Sequence, residues 1–301
     1  MTTWAGGAAI VLVFGLIAAD DMYGQDVQPR VYTPAPVGVN LATLGYSYSR
    51  GSVLFDKTIP IEDAVGFMHS MAAGYSRSSG VAGMAGRIDV ALPFVIGEWE
   101  GLVQREHLTT SRTGFADPTL RLVLGIVGAP ALSPSEFARF EPKTIVGATL
   151  RVRAPLGQYD PNRLINLGSN RWTFSPQIGV SQILARFLLE AYAGAWFFTE
   201  NGNFFGGNTL SQDPLFTFQV HVGYRFRRGL WLAASSRQSL GGKTSVDGGE
   251  KLSHESNNRI GITLAVPLGP RYSLKLAGTT GTTSTAGNDY DTLAAWWQAA
   301  F

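Results

Sequence analysis

The chain of 301 residues contains no cysteine, few charged residues and only one long apolar run. The lack of cysteine excludes disulfide bridges, thiol catalysis and thiolate metal sites. Charged residues make up 15% of the chain, and 24 basic against 22 acidic residues leave a formal net charge of +2. Because so small an excess cannot form a basic stripe along a phosphate backbone, we expect no nucleic-acid partner.

The apolar run lies near the amino terminus, at residues 8–19. About a dozen residues match the core of a signal peptide and fall short of the ~20 residues that a transmembrane helix needs. We therefore expect residues 1–24 to be a signal peptide and residues 25–301 to form a single domain. No Lys or Arg precedes the run, so a buried amino-terminal helix or a wrongly assigned start is the alternative.

Short alternating segments make up most of the remaining chain. In residues 144–153, Val146 and Leu150 alternate with Arg151 and Arg153. A period of two predicts a strand with one apolar and one polar face. A stretch of turn-forming residues follows, and the alternation then resumes. This pattern predicts a hairpin with a long loop.

Twelve such segments can be counted, and short turns alternate with longer polar or glycine-rich loops between them. Short turns at one end and long loops at the other are typical of outer-membrane barrels, whose strand number is even. The sequence therefore predicts an all-β fold, a transmembrane antiparallel β-barrel of about twelve strands. Residues 96–114 are expected to be a long loop, and residues 130–142 a connection with a short helical turn. The predicted strands are 37–49, 64–76, 81–95, 115–127, 144–153, 172–184, 187–199, 215–226, 230–240, 259–266, 272–280 and 291–301.

A barrel in lipid must close on itself, because the hydrocarbon offers no partner for unpaired backbone amides. Its apolar faces then contact lipid, where a charge near the midplane costs ~2–4 kcal/mol, and its polar faces line the lumen. The candidates for the lumen lining are Arg87, Asp89, Arg121, Arg151, Arg153, Glu190, Arg225, Arg259 and Lys275. Aromatic residues at strand ends are expected to form the interfacial girdles, namely Trp172, Phe198, Tyr224, Phe226, Trp231 and Trp297.

The last predicted strand ends the chain on an aromatic residue. Leu293, Trp297 and Phe301 lie on one face of it. This ending resembles the carboxy-terminal signal that the outer-membrane insertion machinery reads. We therefore expect that machinery to bind the chain through Phe301.

Several short motifs occur in an order that resembles a known family. They are Gly114–Pro118 (GFADP), Pro155–Tyr159 (PLGQY), Asn166–Trp172 (NLGSNRW), Pro176–Ser181 (PQIGVS), Asn201 with Asp213-Pro214, residues 241–248, and Asn258–Gly261. With these motifs the sequence resembles the outer-membrane transporter family named for a meta-pathway of phenol degradation. The resemblance implies a small-molecule transporter in the Gram-negative outer membrane, found with genes for the degradation of aromatic or hydrophobic compounds.

Fragments that look like enzyme motifs lack the rest of their pattern. Residues 242–244 resemble the end of a phosphate-binding loop, but Arg237 stands where that loop requires a glycine. His254-Glu255 begins like a zinc-protease motif, but Asn258 occupies the position of the second histidine. We expect no enzyme activity, no cofactor and no metal. An outer-membrane hydrolase, with Ser, His and Asn or Asp brought together at the rim, is an alternative that spacing alone does not exclude.

The predicted function is a passive channel for small hydrophobic or aromatic solutes. The arginines of the lumen are expected either to favour anionic and aromatic solutes, through charge and cation–π contacts, or to fill and stiffen the barrel. A closed barrel that serves as a structural or surface-interaction protein is one alternative, and a soluble secreted β protein is another. The expected partners are outer-membrane lipids, lipopolysaccharide and a small solute.

The loop before residue 172 is expected to lie at the extracellular mouth. Its candidate residues are Tyr159, Asn166, Asn170, Arg171 and Trp172.

Overall fold

The computed structural model describes residues 27–54, 61–103, 106–249 and 254–301. The predicted signal peptide at residues 1–24 lies outside the described residues. The strands are β1 (Asn40–Leu54), β2 (Ile61–Val81), β3 (Met84–Val103), β4 (Glu106–Phe115), β5 (Thr119–Val127), β6 (Thr144–Arg153), β7 (Thr173–Leu184), β8 (Phe187–Phe198), β9 (Asn201–Phe204), β10 (Asn208–Gln212), β11 (Leu215–Arg227), β12 (Leu230–Gly241), β13 (Thr244–Val246), β14 (Glu255–Pro267), β15 (Tyr272–Thr283) and β16 (Gly287–Ala300).

Thirteen of these strands form one closed antiparallel sheet. Strand β1 pairs with β16 on one side and with β2 on the other, and β2 pairs with β3, so the sheet has no free edge. Strands β4 and β5 both pair with β3 and share one position in the ring. The ring therefore has twelve positions, and the prediction of a barrel of about twelve antiparallel strands is confirmed.

The wall has an apolar outer face and a polar inner face, because neighbouring side chains on a strand point to opposite sides. Strand β11 shows the pattern clearly. Phe218 and Val222 are 50% and 53% exposed on the outside, whereas Thr217 and His221 are 3% and 2% exposed on the inside. The buried interior of this molecule is accordingly the lumen, and much of its lining is polar.

The long loops and the short turns lie at opposite ends of the barrel, which we call the loop end and the turn end. The connection between β5 and β6 is at the turn end and contains α1 (Pro134–Phe137), close to the predicted helical turn. Ser133 caps α1, and its hydroxyl and Glu136 form a capping box. No helix among the described residues is long and apolar enough to cross a membrane.

Three connections at the loop end contain more strand than the sequence predicts. Residues 96–114, expected to be a loop, instead extend β3 and form β4, so the wall on this side is longer than the ~9–11 residues that a membrane strand needs. Strands β9, β10 and β13, which lie in the predicted loops 200–213 and 241–257, form a separate three-stranded sheet above the mouth.

Two members of the predicted aromatic girdles face the lumen instead of lipid. Trp231 is only 2% exposed and precedes Ala233 and Ser235 on the inner face of β12. Phe198 lies on the same face of β8 as Trp196, and the Arg171 guanidinium covers its ring at 4.6 Å. The prediction was wrong for these two because position along a strand does not determine which face a side chain occupies. The girdle residues Trp172, Phe226 and Trp297 are exposed on the outside, and Tyr224 packs beside Phe226.

Candidate functional site

The lumen is the only large polar interior that the described residues form, and the nine predicted lining residues all face it or its turn end. Arg151 and Arg225 are half-buried, Arg151 beside the small lumen cavity and Arg225 at the turn end. The other seven are buried, namely Arg87, Asp89, Arg121, Arg153, Glu190, Arg259 and Lys275. Arg237 and His221 are also buried in the lining and were missing from the prediction, although the alternation of β12 around Ser235 and Ser239 would have identified Arg237.

One group of these residues forms a tight ionic cluster. Asp89, Arg121 and Arg151 occupy adjacent register positions on β3, β5 and β6. The Asp89 carboxylate is fully buried, and it accepts from Arg87 Nε at 2.8 Å and from Arg121 Nε at 2.9 Å. Asp89, Arg87 and Arg121 are thus joined by ion pairs on one side of the lumen.

A second group surrounds aromatic rings. The guanidinium groups of Arg151 and Arg153 each lie 5.5 Å from the ring centre of buried Trp196. Lys275 lies 5.7 Å from the ring of Trp231. Such contacts hold cations against aromatic faces. The lumen therefore combines interlocked charges on one side with cation–aromatic contacts on another.

The segment before β1 enters the barrel from the turn end and fills the lower lumen. We call residues 27–39 the amino-terminal plug. The Arg30 amide donates to Glu190 Oε2 at 2.7 Å, and the Val31 amide donates to the Tyr192 hydroxyl at 3.3 Å. Arg121 Nη1 donates to Gln28 Oε1 at 2.6 Å. Two predicted lining residues, Glu190 and Arg121, are therefore anchors for the plug.

Tyr32 seats the plug against the wall at a pair of facing glycines. Gly147 and Gly179 are register partners on β6 and β7. A Cβ atom added at Gly147 would lie 2.2 Å from the Tyr32 ring, and one at Gly179 would lie 2.3 Å from it. Only glycine leaves room for this ring. The motif around Gly179 thus has a structural explanation that the strand pattern alone did not provide.

We expect Gly147→Ala to loosen the plug while leaving the wall intact. The added methyl overlaps the Tyr32 ring, and overpacking of this kind typically costs about 1–3 kcal/mol, which is roughly 5- to 150-fold in the opening equilibrium. Because the chain has no cysteine, the reporter Val31→Cys can be labelled with a maleimide at a single site. The labelling rate should rise by that factor.

The matched control for this labelling experiment is Gly223→Ala. A Cβ atom at Gly223, also on an inner face, meets its nearest neighbour at an ordinary 3.4 Å. Equal labelling rates in the two variants would show that Tyr32 does not hold the plug.

At the loop end, the connection between β6 and β7 folds into the mouth. We call residues 154–172 the inward loop. Its side chains Ile165 and Leu167 pack against Val95, Trp99 and Tyr290 on the inner faces of β3 and β16. The Arg112 guanidinium donates to the carbonyl of Ile165 at 2.7 Å. The inward loop therefore covers the loop end of the lumen.

The family-like motifs of the sequence meet at the neck of the inward loop. Asp117 accepts from the amides of Gly157 and Ser169, both at 2.8 Å, and from the Ser169 hydroxyl at 2.6 Å. A Cβ atom at Gly114 would lie 1.8 Å from the side chain of Gln158. The GFADP, PLGQY and NLGSNRW motifs are thus parts of one folded unit, although they lie far apart in the chain.

The five predicted loop residues have different roles in this unit. Tyr159 and Asn170 both bond to Asn201, which ties the inward loop to β9. Asn166 closes the tip by bonding the Asp160 amide at 2.8 Å. Arg171 lies in the mouth and bonds to Gln212, and burial lowers the pKa of its guanidinium to about 10. Trp172 instead faces outward and stacks on Phe174.

The space that remains between the plug and the wall is small. A cavity of about 20 Å³ lies between Gln28 and Val31 of the plug and Arg151 and Trp196 of the wall, which is room for about one water molecule. At this level of the barrel the plug therefore fills the lumen. Among the described residues, no group of three or more His, Asp or Glu side chains could hold a metal ion.

Comparisons with known proteins agree with this architecture. The family model described as "Putative MetA-pathway of phenol degradation" matches residues 37–299. The fold is similar to the crystal structure of an outer membrane channel from Pseudomonas putida F1, with a TM-score of 0.77, 19% identity, and coverage of 92% of this chain and 100% of that chain. It is also similar to the β domain of the Bordetella autotransporter BrkA, with a TM-score of 0.51, 11% identity, and coverage of 88% and 100%. No curated protein sequence matches the chain.

Proposed function

The chain belongs to the outer-membrane barrel family whose description refers to phenol degradation, and from this we propose that it is a passive channel for small hydrophobic or aromatic compounds. It is a β-barrel of the Gram-negative outer membrane, with the turn end toward the periplasm. The proposal includes no enzymatic step and no cofactor.

The observation that carries the proposal is that two segments inside the lumen, the amino-terminal plug and the inward loop, are separate from the wall. We call these two segments the closures. The wall is a continuous ring of paired strands. The amino-terminal plug and the inward loop are not members of that ring, and they are held in the lumen by contacts such as those of Glu190 and Asp117. Both can therefore move without breaking the strand pairing, as a gated route requires.

The lining supports small aromatic solutes as the transported class. Trp196 and Trp231 place large aromatic faces inside the barrel, next to Arg151, Arg153 and Lys275. An aromatic solute can replace either partner in such contacts, stacking on the indole or lying under a guanidinium. The family description and this lining point to the same class of compound.

The test of transport is swelling of liposomes that contain the purified protein. A phenol-sized solute outside the vesicles should enter and cause swelling, whereas a solute too large for a twelve-stranded barrel should not. Absence of swelling with every solute would favour the second candidate, a closed structural or surface-interaction barrel. The small cavity between the plug and the wall is the observation that favours that candidate.

We expect the double variant Arg151→Ala/Arg153→Ala to lose anion preference. Both guanidinium groups line the route beside Trp196, so their removal should lower the anion-to-cation permeability ratio by about threefold or more. Single-channel recording in salt gradients measures this ratio. Arg139→Ala, an exposed arginine in the turn-end connection, is the control that should leave it unchanged. An unaltered ratio in the double variant would favour the role in which these arginines only stiffen the barrel.

The proposal includes two further partners, the insertion machinery and lipopolysaccharide. Phe301 is 67% exposed at the turn end, and its amide and carbonyl pair with Asn40 of β1. An exposed terminal aromatic next to the seam between β1 and β16 is suited to contact with the insertion machinery. Exposed residues at the loop end would contact lipopolysaccharide.

A further inference from the structure

At the periplasmic end, a cavity of about 860 Å³ lies beside the amino-terminal plug. Its walls are the plug, the connection between β5 and β6, and the two turns that join β7 to β8 and β11 to β12. We call it the periplasmic vestibule. Its volume falls within the range of small-molecule sites, about 300–1,000 Å³.

The vestibule is strongly cationic. Its lining contains six basic side chains, Arg30, Lys143, Arg186, Arg225, Arg227 and Arg228, and one acidic side chain, Glu141. Within the described ranges, none of the ion pairs involves an arginine of the β11–β12 turn. This excess of positive charge in a concave site favours an anionic ligand.

Arg225 is the best-placed of these groups to bind an anion. Its Nη2 donates to the carbonyl of Ala185 at 2.6 Å, which fixes the orientation of the guanidinium. Its Nε is buried and has no hydrogen-bond partner. The guanidinium as a whole is only half-buried and lines the vestibule, so a carboxylate there can accept from its accessible N–H groups.

One side of the vestibule is aromatic. Phe137 and Phe140, from α1 and the residues after it, are half-buried in the lining, with ring centres 6.0 Å apart. Glu141 is the one acidic side chain among the described lining residues. Aromatic rings favour a flat apolar body, whereas arginines favour a carboxylate. A free inorganic anion would contact the arginines but not the aromatic rings.

We propose that the periplasmic vestibule is a binding site for aromatic carboxylates, in which Arg225 binds the carboxylate and Phe137 and Phe140 contact the ring. The inference rests on the proposed function, because it places this site at the periplasmic end of the same solute route. It adds an acidic class of aromatic compound to the hydrophobic solutes considered above.

Isothermal titration of the full chain in detergent tests the site directly, with benzoate, benzyl alcohol and inorganic phosphate as probes. Benzoate should bind saturably and roughly tenfold more tightly than either of the other two, because only benzoate has both an aromatic ring and a carboxylate. Arg225→Gln should weaken benzoate binding by roughly tenfold. Arg139→Gln, an exposed neighbour outside the lining, should not change it.

Three results would overturn the inference. Equal affinity for benzyl alcohol would remove the role of the charge, and phosphate binding as tight as benzoate would identify a general anion or lipid-headgroup site. Unchanged binding in Arg225→Gln would place the ligand elsewhere. Since binding in detergent needs no conduction, benzoate can fail to bind while liposomes still swell, so this inference can fail while the transport proposal stands. If benzoate binds but the liposomes do not swell with any solute, only the transport proposal is contradicted.

Discussion

A chain that starts at residue 37 and has residues 158–168 replaced by two glycines should conduct at least about tenfold more current than the unaltered protein. The truncation removes the part of the plug that lies deepest in the lumen, and strand β1 begins only at Asn40. The loop replacement is geometrically simple because Gly157 and Ser169 are held together by Asp117. It removes Ile165 and Leu167 from the mouth.

The two closures lie one behind the other, so their resistances add. If they are comparable, removing either one lowers the total resistance by no more than about half, and each single variant should gain at most roughly twofold. Only the double variant opens the route. The effects should therefore be strongly non-additive, in contrast to those of independent sites.

Planar-bilayer recording of the four proteins, refolded from inclusion bodies, measures this non-additivity. Leu268→Gly, in an exposed turn that belongs to neither closure, is the control for changes in folding yield and should conduct like the unaltered protein. A tenfold gain from the truncation alone would contradict the model of two closures in series. It would mean that the inward loop already leaves an open path.

Asp89→Asn should lower the free energy of unfolding by about 3–5 kcal/mol, the usual cost of removing one partner from a buried charge cluster. Asp89 is completely buried between Arg87 and Arg121, at 2.8 and 2.9 Å. The substitution leaves two guanidinium groups in the lumen with no carboxylate between them. Arg121 and Arg87 also bond Gln28 and Val31 of the plug, so the plug should loosen as well.

Urea titration of the protein in phospholipid vesicles, followed by tryptophan fluorescence, measures the loss. Asp160→Asn is a matched control, because Asp160 also pairs with an arginine, Arg163, but both are exposed in the inward loop. An exposed pair contributes little to stability because water and salt screen it. Equal midpoints for the two variants would mean that the Asp89 cluster has no special role in holding the wall.

Two errors in the predicted aromatic girdle could have been avoided from the sequence. The alternation of apolar and polar residues identified the inner face of β6 and of β8, and Arg153 and Glu190 are buried there. Trp231 and Phe198 were assigned by their position at strand ends, without regard to that alternation, and both face the lumen. The information was present in the sequence for these two residues.

The positions of the inward loop and the amino-terminal plug, in contrast, could not be predicted from the sequence. The motifs around Asp117, Gly157 and Ser169 could be recognised as a family resemblance, but nothing local indicated that they bond to one another. Likewise, no pattern in residues 27–39 indicated that this segment enters the barrel.

The sequence by itself determined the barrel, its strand number and the face of most side chains, because a period of two is a local property of each strand and a membrane allows no open sheet. Only the tertiary structure decided that the amino-terminal plug and the inward loop lie in the two ends of the lumen. The contacts that hold them join residues as distant as Arg30 and Glu190 or Asp117 and Ser169, and the free energy of such contacts depends on shape and register across the barrel. No single stretch of the chain contains that information.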